Sequence, residues 1–110
     1  MGSTAKIEAQ KALTIAIEAF LTSKIGVVEF SRCSSTAMHA LEQDGNELFR
    51  YFHAIDAQTD HLPVGAVRNL WAADALRPHD TEREAVENAL REVALIKAHE
   101  LLGWSKSQQF

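Results

Sequence analysis

Five histidines, three closely spaced serines and a run of carboxylates are the side chains here that could do chemistry. A di-iron helical bundle needs Glu-x-x-His, because ligands three apart project to the same side of a helix. None of His39, His53, His61, His79 and His99 has a carboxylate three residues before it, and no two histidines are four apart. The reversed spacing at His39/Glu42, His53/Asp56 and His79/Glu82 is common by chance, so neither a metal site nor a cofactor is expected. Ser31, Ser34 and Ser35 lack the G-x-S-x-G elbow of a serine hydrolase and a strand to carry it. Phosphate-loop and dinucleotide fingerprints are missing too. Cys33 is the only cysteine, which rules out an internal disulfide or a cysteine-based zinc site. It reads as a small buried hydrophobe. No catalytic residue is assigned.

One polar constellation stands apart. His53, Asp56 and Asp60 fall at i, i+3 and i+7, with His61 just beyond. A carboxylate beside an imidazole could serve as a general acid or base. The same group could instead tie one helix to its neighbours, and the pattern favours that. Arg32 interrupts an apolar stripe and Arg68 lies between Val67 and Trp71. An arginine in such a place is buried only if paired. The expectation is an ion-pair network of Arg32, Arg68, Asp56 and Asp60, in which Asp60→Ala lowers the melting temperature. The alternative use of His53, Asp56, Asp60, Arg32 and Arg68 is a small-ligand pocket.

The elements that must position these residues are helical. Thr4 to Leu21 carries Leu13, Ile17, Phe20 and Leu21 on one face of a 3.6-residue period. A second helix is expected from Ile25 to about Gln43, with serines and Arg32 in the middle of its apolar face, and Asp44-Gly45-Asn46 as a turn. A third runs from Glu47 to Thr59, ended by Leu62-Pro63. A short fourth is expected over Val64 to Ala75, packing through Val67, Leu70 and Trp71. Arg77-Pro78-His79-Asp80 reads as a break, Thr81 and Glu84 as a capping box, and Gly103 as the residue closing the last helix. Its core candidates are Val86, Leu90, Val93 and Leu101. No segment alternates long enough to argue for a strand. The fold expected is an all-α compact bundle of four to five helices, one domain over residues 1–110.

Composition agrees: 46% apolar and 24% charged residues are those of a globular chain. No stretch approaches the roughly 18 uncharged residues of a membrane span. Glu18 interrupts the apolar run Leu13 to Leu21, and no small-residue cleavage site follows, so a cytoplasmic location is expected. The net charge is −4, and residues 38–63 alone set five carboxylates against Arg50. That disfavours nucleic acid, which requires a basic patch, and suits a basic protein partner.

The run Ile55-Asp56-Ala57-Gln58-Thr59-Asp60-His61-Leu62-Pro63-Val64-Gly65, continuing through Val67-Arg68 and Trp71, is the most distinctive segment. With Ile25-Gly26-Val27-Val28-Glu29 and Ser31-Arg32 it resembles a group of uncharacterised small bacterial helical proteins. That resemblance implies bacterial origin and a helical fold, but no catalytic role. In size and charge the chain is also similar to the immunity proteins that neutralise bacterial toxins by occluding their active sites. By that analogy Glu42, Asp44, Glu47 and Asp56 form an acidic face for a toxin's basic cleft. The third reading is a homodimer whose apolar stripe, on the first helix or near Trp104, is covered by its own copy.

Overall fold

The computed structural model describes residues 4–110, which form an all-α bundle. Its helices are α1 (Thr4–Leu21), α2 (Val27–Ala40), α3 (Glu47–Thr59) and α4 (Ala73–Ser107), with a 3-10 helix, Gly65–Leu70, between α3 and α4. The centre is α2, which packs against α1, α3 and α4. It buries Val27, Val28, Phe30, Ser31, Ser34, Ser35, Ala37 and Met38. A helix enclosed on this many sides needs small residues where neighbouring backbones come close, and its serines supply them. The Ser31 hydroxyl donates to the Val27 carbonyl at 2.7 Å, which satisfies it without an outside partner. Phe30, fully buried, stacks on Phe20 with ring centroids 5.2 Å apart and meets Phe52 edge-on at 4.8 Å. Aromatic pairs in these arrangements add to the burial of their area.

Helices α1 and α2 end in the same way, and neither ending uses glycine. Ser23 (φ 62°) and Glu42 (φ 57°) take the left-handed conformation just beyond the helix. Behind them the Lys24 N–H donates to the Ala19 carbonyl and the Gln43 N–H to the Met38 carbonyl, both at 2.8 Å. This double-bonded closure satisfies carbonyls that the helix end would otherwise leave open. Asn46 then starts α3, its side-chain oxygen accepting from the Leu48 N–H at 3.0 Å.

Three expectations about the second half are corrected. The short helix expected over Val64 to Ala75 is present but is a 3-10 helix confined to Gly65–Leu70, and Ala73 to Ala75 already belong to α4. The 3-10 segment has three residues per turn, which puts Val67 above Leu70 and Arg68 above Trp71 on separate ridges. The first ridge faces outward: Val67 is 53% and Leu70 86% exposed. Trp71, 38% exposed, lies edge-on to His79 at 5.2 Å instead of in the core.

Pro78 does not break the chain either. It is the sixth residue of α4, so its missing N–H removes a single bond near the helix start. Thr81 donates back to the Arg77 carbonyl at 3.1 Å, and no capping box forms with Glu84. Helix α4 is thus 35 residues long. At 1.5 Å per residue it spans about 52 Å, matching the 50 Å long axis of the molecule.

Gly103 lies inside α4, which continues to Ser107. The last turn is held from outside: Gln10 donates to the Ser105 and Gln108 carbonyls, Thr14 and Ser105 share a hydrogen bond, and Trp104 packs edge-on against Phe49. Leu101 is buried with Ala94, Ala98 and Ser105, whereas Val86 and Leu90 are half-buried and Val93 is 49% exposed.

Nothing lies within 4 Å of a Cβ built on Gly103. Gly103→Ala is therefore expected to raise stability by about 0.5–1 kcal/mol, measured by urea unfolding. Phe30→Ala should cost about 3–5 kcal/mol in the same assay, because it empties the centre of the aromatic cluster.

Candidate functional site

The polar residues singled out in the sequence divide between two places. Along the seam of α2 and α3, the Arg32 guanidinium donates to the carbonyl of Thr59, the last residue of α3, and lies 3.7 Å from Asp56. A cation at a helix C-terminus satisfies an open carbonyl and complements the helix dipole. Higher on the seam, Ser35 and His53 Nδ1 share a hydrogen bond at 3.0 Å. His53 meets His39 edge-on at 5.7 Å, and His39 Nδ1 is 3.1 Å from Asp44. His53 and Asp56 share a helix but have different partners.

Arg68 is elsewhere. Its two terminal nitrogens grip both carboxylate oxygens of Asp80, one of them at 2.9 Å. Arg83 approaches the same carboxylate at 3.6 Å. Around this clamp, His61 Nε2 is 2.6 Å from Glu82 and His79 packs on Trp71. These contacts fasten the first turns of α4, beyond Pro78, to the 3-10 segment. The expected four-member network is therefore corrected: Arg32 pairs with Asp56, but Arg68 pairs with Asp80. Asp60 is exposed and has no ion-pair partner among the described residues. Sequence reasoning missed Asp80 because the assumed break at Pro78 put it in a loop. Read as helix, His79, Asp80 and Arg83 turn toward the 3-10 segment together.

The principal depressions among the described residues lie away from the seam. A groove of about 250 Å³ between α1 and α2 is lined by Ala9, Ala12, Ala16 and Ala37 with Cys33 and Thr36. A depression of about 430 Å³ beside the Arg68–Asp80 clamp includes Leu76, Arg77 and Glu84. Neither contains Arg32, His53, Asp56 or Asp60. The Ser35–His53 pair, a base beside a hydroxyl, adjoins neither of these depressions. Cys33 is exposed at the groove's rim, not buried as expected. Partial burial of its thiol, with Glu29 nearby, pushes its pKa up, which disfavours the nucleophilic thiolate. Among the described residues no cluster of three or more His, Cys, Asp or Glu could hold a metal ion. No described helix is long and apolar enough to cross a membrane.

The acidic face is compact at one end only. Glu42, Asp44 and Glu47 are exposed on and beside the α2–α3 turn. Asp56 lies nine residues along α3, about 13 Å from Glu47 along the axis, and faces Arg32. Glu42 is 3.1 Å from Lys6 but remains 77% exposed. Against known protein families, curated proteins and solved structures, the chain has no match.

The hydrogen bond from Arg68 holds the Asp80 carboxyl below the ordinary carboxylate range, and the charges of Arg68, Arg83 and His79 add to the effect. A carboxylate depressed in the folded state contributes stability above its unfolded pKa and loses it as pH falls through the folded value. Asp80→Asn should therefore lower the melting temperature at pH 7, with the gap from wild type closing as pH falls below about 4. Asp60→Asn should leave the melting temperature unchanged at both pH values.

Proposed function

We propose that this chain is a protein-binding module of the immunity type. In this reading it acts in the bacterial cytoplasm and covers the basic, substrate-binding cleft of a toxin. The observation that carries the reading is the α2–α3 turn, which presents Glu42, Asp44 and Glu47 to solvent within six residues, between two well-packed helices. A turn with its backbone bonds made loses little freedom on docking, so its charges are displayed at small entropic cost. Glu42 also occupies a left-handed position that disfavours any residue with a Cβ, by about 1–2 kcal/mol. Its ion pair with Lys6 is largely exposed, and such pairs contribute little to stability. A carboxylate kept where glycine would fold better fits a role outside the fold.

The acidic turn would act first on encounter rate, by steering a basic partner, and then on register. The test uses paired baits, wild type and the triple variant Glu42→Gln/Asp44→Asn/Glu47→Gln, followed by binding kinetics with the purified captured protein. The expected result is one stoichiometric partner whose association slows about tenfold or more in the variant and falls with added salt. Equal capture by both baits, or recovery of the bait alone, would overturn the proposal.

A further inference from the structure

The outer face of α1 combines a large exposed hydrophobe with charges that the fold leaves unused. Ile15 is 68% exposed. Lys11 and Glu18 are exposed on either side of it along the helix, and among the described residues neither has an ion-pair partner. Ala12 is exposed and Ala19 half-exposed.

At 100° per residue, Lys11 and Glu18 lie about 40° and 60° to one side of Ile15, while Ala12 and Ala19 lie about as far to the other. This pattern is complementary to itself. Turn a second α1 antiparallel about a two-fold axis through Ile15. Each flank then meets the same flank of the other copy, because a two-fold axis across an antiparallel pair preserves sides. Lys11 lies about 6 Å from Ile15 along the helix and Glu18 about 4.5 Å in the opposite direction, so Lys11 of one copy comes level with Glu18 of the other to within about 1.5 Å. Two ion pairs form on one flank. Ala12 and Ala19 meet on the other, where small side chains let the backbones approach to about 8 Å. The apolar groove lined by Ala9, Ala12 and Ala16 runs alongside and widens the contact.

We propose that α1 is a homodimerisation surface that pairs antiparallel with α1 of a second copy, with Ile15 on the axis and reciprocal Lys11–Glu18 ion pairs beside it. A single pair of five-turn helices gives an interface at the small end of specific contacts, of order 1,000 Å², so the dimer is weak and concentration-dependent. The surface is separate from the Glu42, Asp44 and Glu47 turn. The dimer therefore stands or falls independently of the proposed toxin-type partner.

Charge exchange tests the pairing directly. In a homodimer of the Lys11→Glu variant, both ion pairs become carboxylate facing carboxylate. In a homodimer of the Glu18→Lys variant, both become ammonium facing ammonium. A mixture of the two variants restores both ion pairs, with reversed polarity at one of them, in the heterodimer. Sedimentation velocity over about 10 µM to 1 mM should show wild type self-associating, each single variant weakened about tenfold, and the mixture recovering the wild-type constant. Ile15→Glu should be monomeric throughout and retain the wild-type helical circular dichroism, since the position is exposed. A wild type that stays monomeric at 1 mM would overturn the proposal, as would a dimer that survives Ile15→Glu. So would a mixture that associates no better than its separate components.

Discussion

Burial of α2 is the constraint on which the rest of the structure depends. This helix packs against the other three, so its wet face narrows to a strip through Cys33, Thr36 and Ala40 and the rest of its surface must be reconciled with burial. Phe30, Val28 and Ala37 fill apolar space, and Ser31, Ser34 and Ser35 let neighbours approach while keeping the helix short of uniformly greasy. The polar groups must then be reconciled with burial. Ser31 bonds to its own helix, Ser35 to His53, and Arg32 to the end of α3, while the Ser34 hydroxyl is buried without a hydrogen-bond partner among the described residues. A side chain that looked like an intruder in an apolar stripe is thus the fastening between α2 and α3.

The second fastening is local and peripheral. The 3-10 segment would otherwise be a loose connection, with Val67 and Leu70 turned to solvent. The Arg68–Asp80 clamp, the Trp71–His79 contact and the His61–Glu82 pair hold it to the first third of α4. That portion of α4 contributes no fully buried residue, all of which lie from Ala94 onward. Charge and aromatic contacts therefore do there what apolar burial does in the other half. The molecule has a hydrophobic end and an electrostatic end on one continuous helix.

Chemistry and display are likewise separated. Of the histidines and serines that invited a catalytic reading, Ser35, His53 and His39 meet along the α2–α3 seam, and His61 and His79 lie by the Arg68–Asp80 clamp. What faces solvent is an acidic turn at one place and an apolar, charge-flanked helix face at another. The two proposed contact surfaces lie on these exposed features and not on the buried seam.

Much of the architecture was legible in the sequence because it depends on local periodicity. The bounds of α1, the Asp44-Gly45-Asn46 turn, the length of α3 and the turn at Leu62-Pro63 follow from apolar spacing and from residues that bias the backbone. Arg32 with Asp56 was legible on other grounds, since a cation interrupting an apolar stripe needs a carboxylate within reach. The ends of α4 were not. Pro78 and Gly103 are ordinary stop signals, each opposing helix by about 1–3 kcal/mol. The helix runs through both, with contacts from elsewhere in the chain on the flanking turns: Arg68 on Asp80 at one end, Gln10 and Phe49 at the other. The three-residue period that turned Leu70 outward and Trp71 toward His79 was equally hidden, because six residues can follow either helical period. Local propensity, which acts over a few residues, determined which segments are helical; tertiary structure, which brings distant residues together, decided how far α4 runs at each end and what its side chains meet.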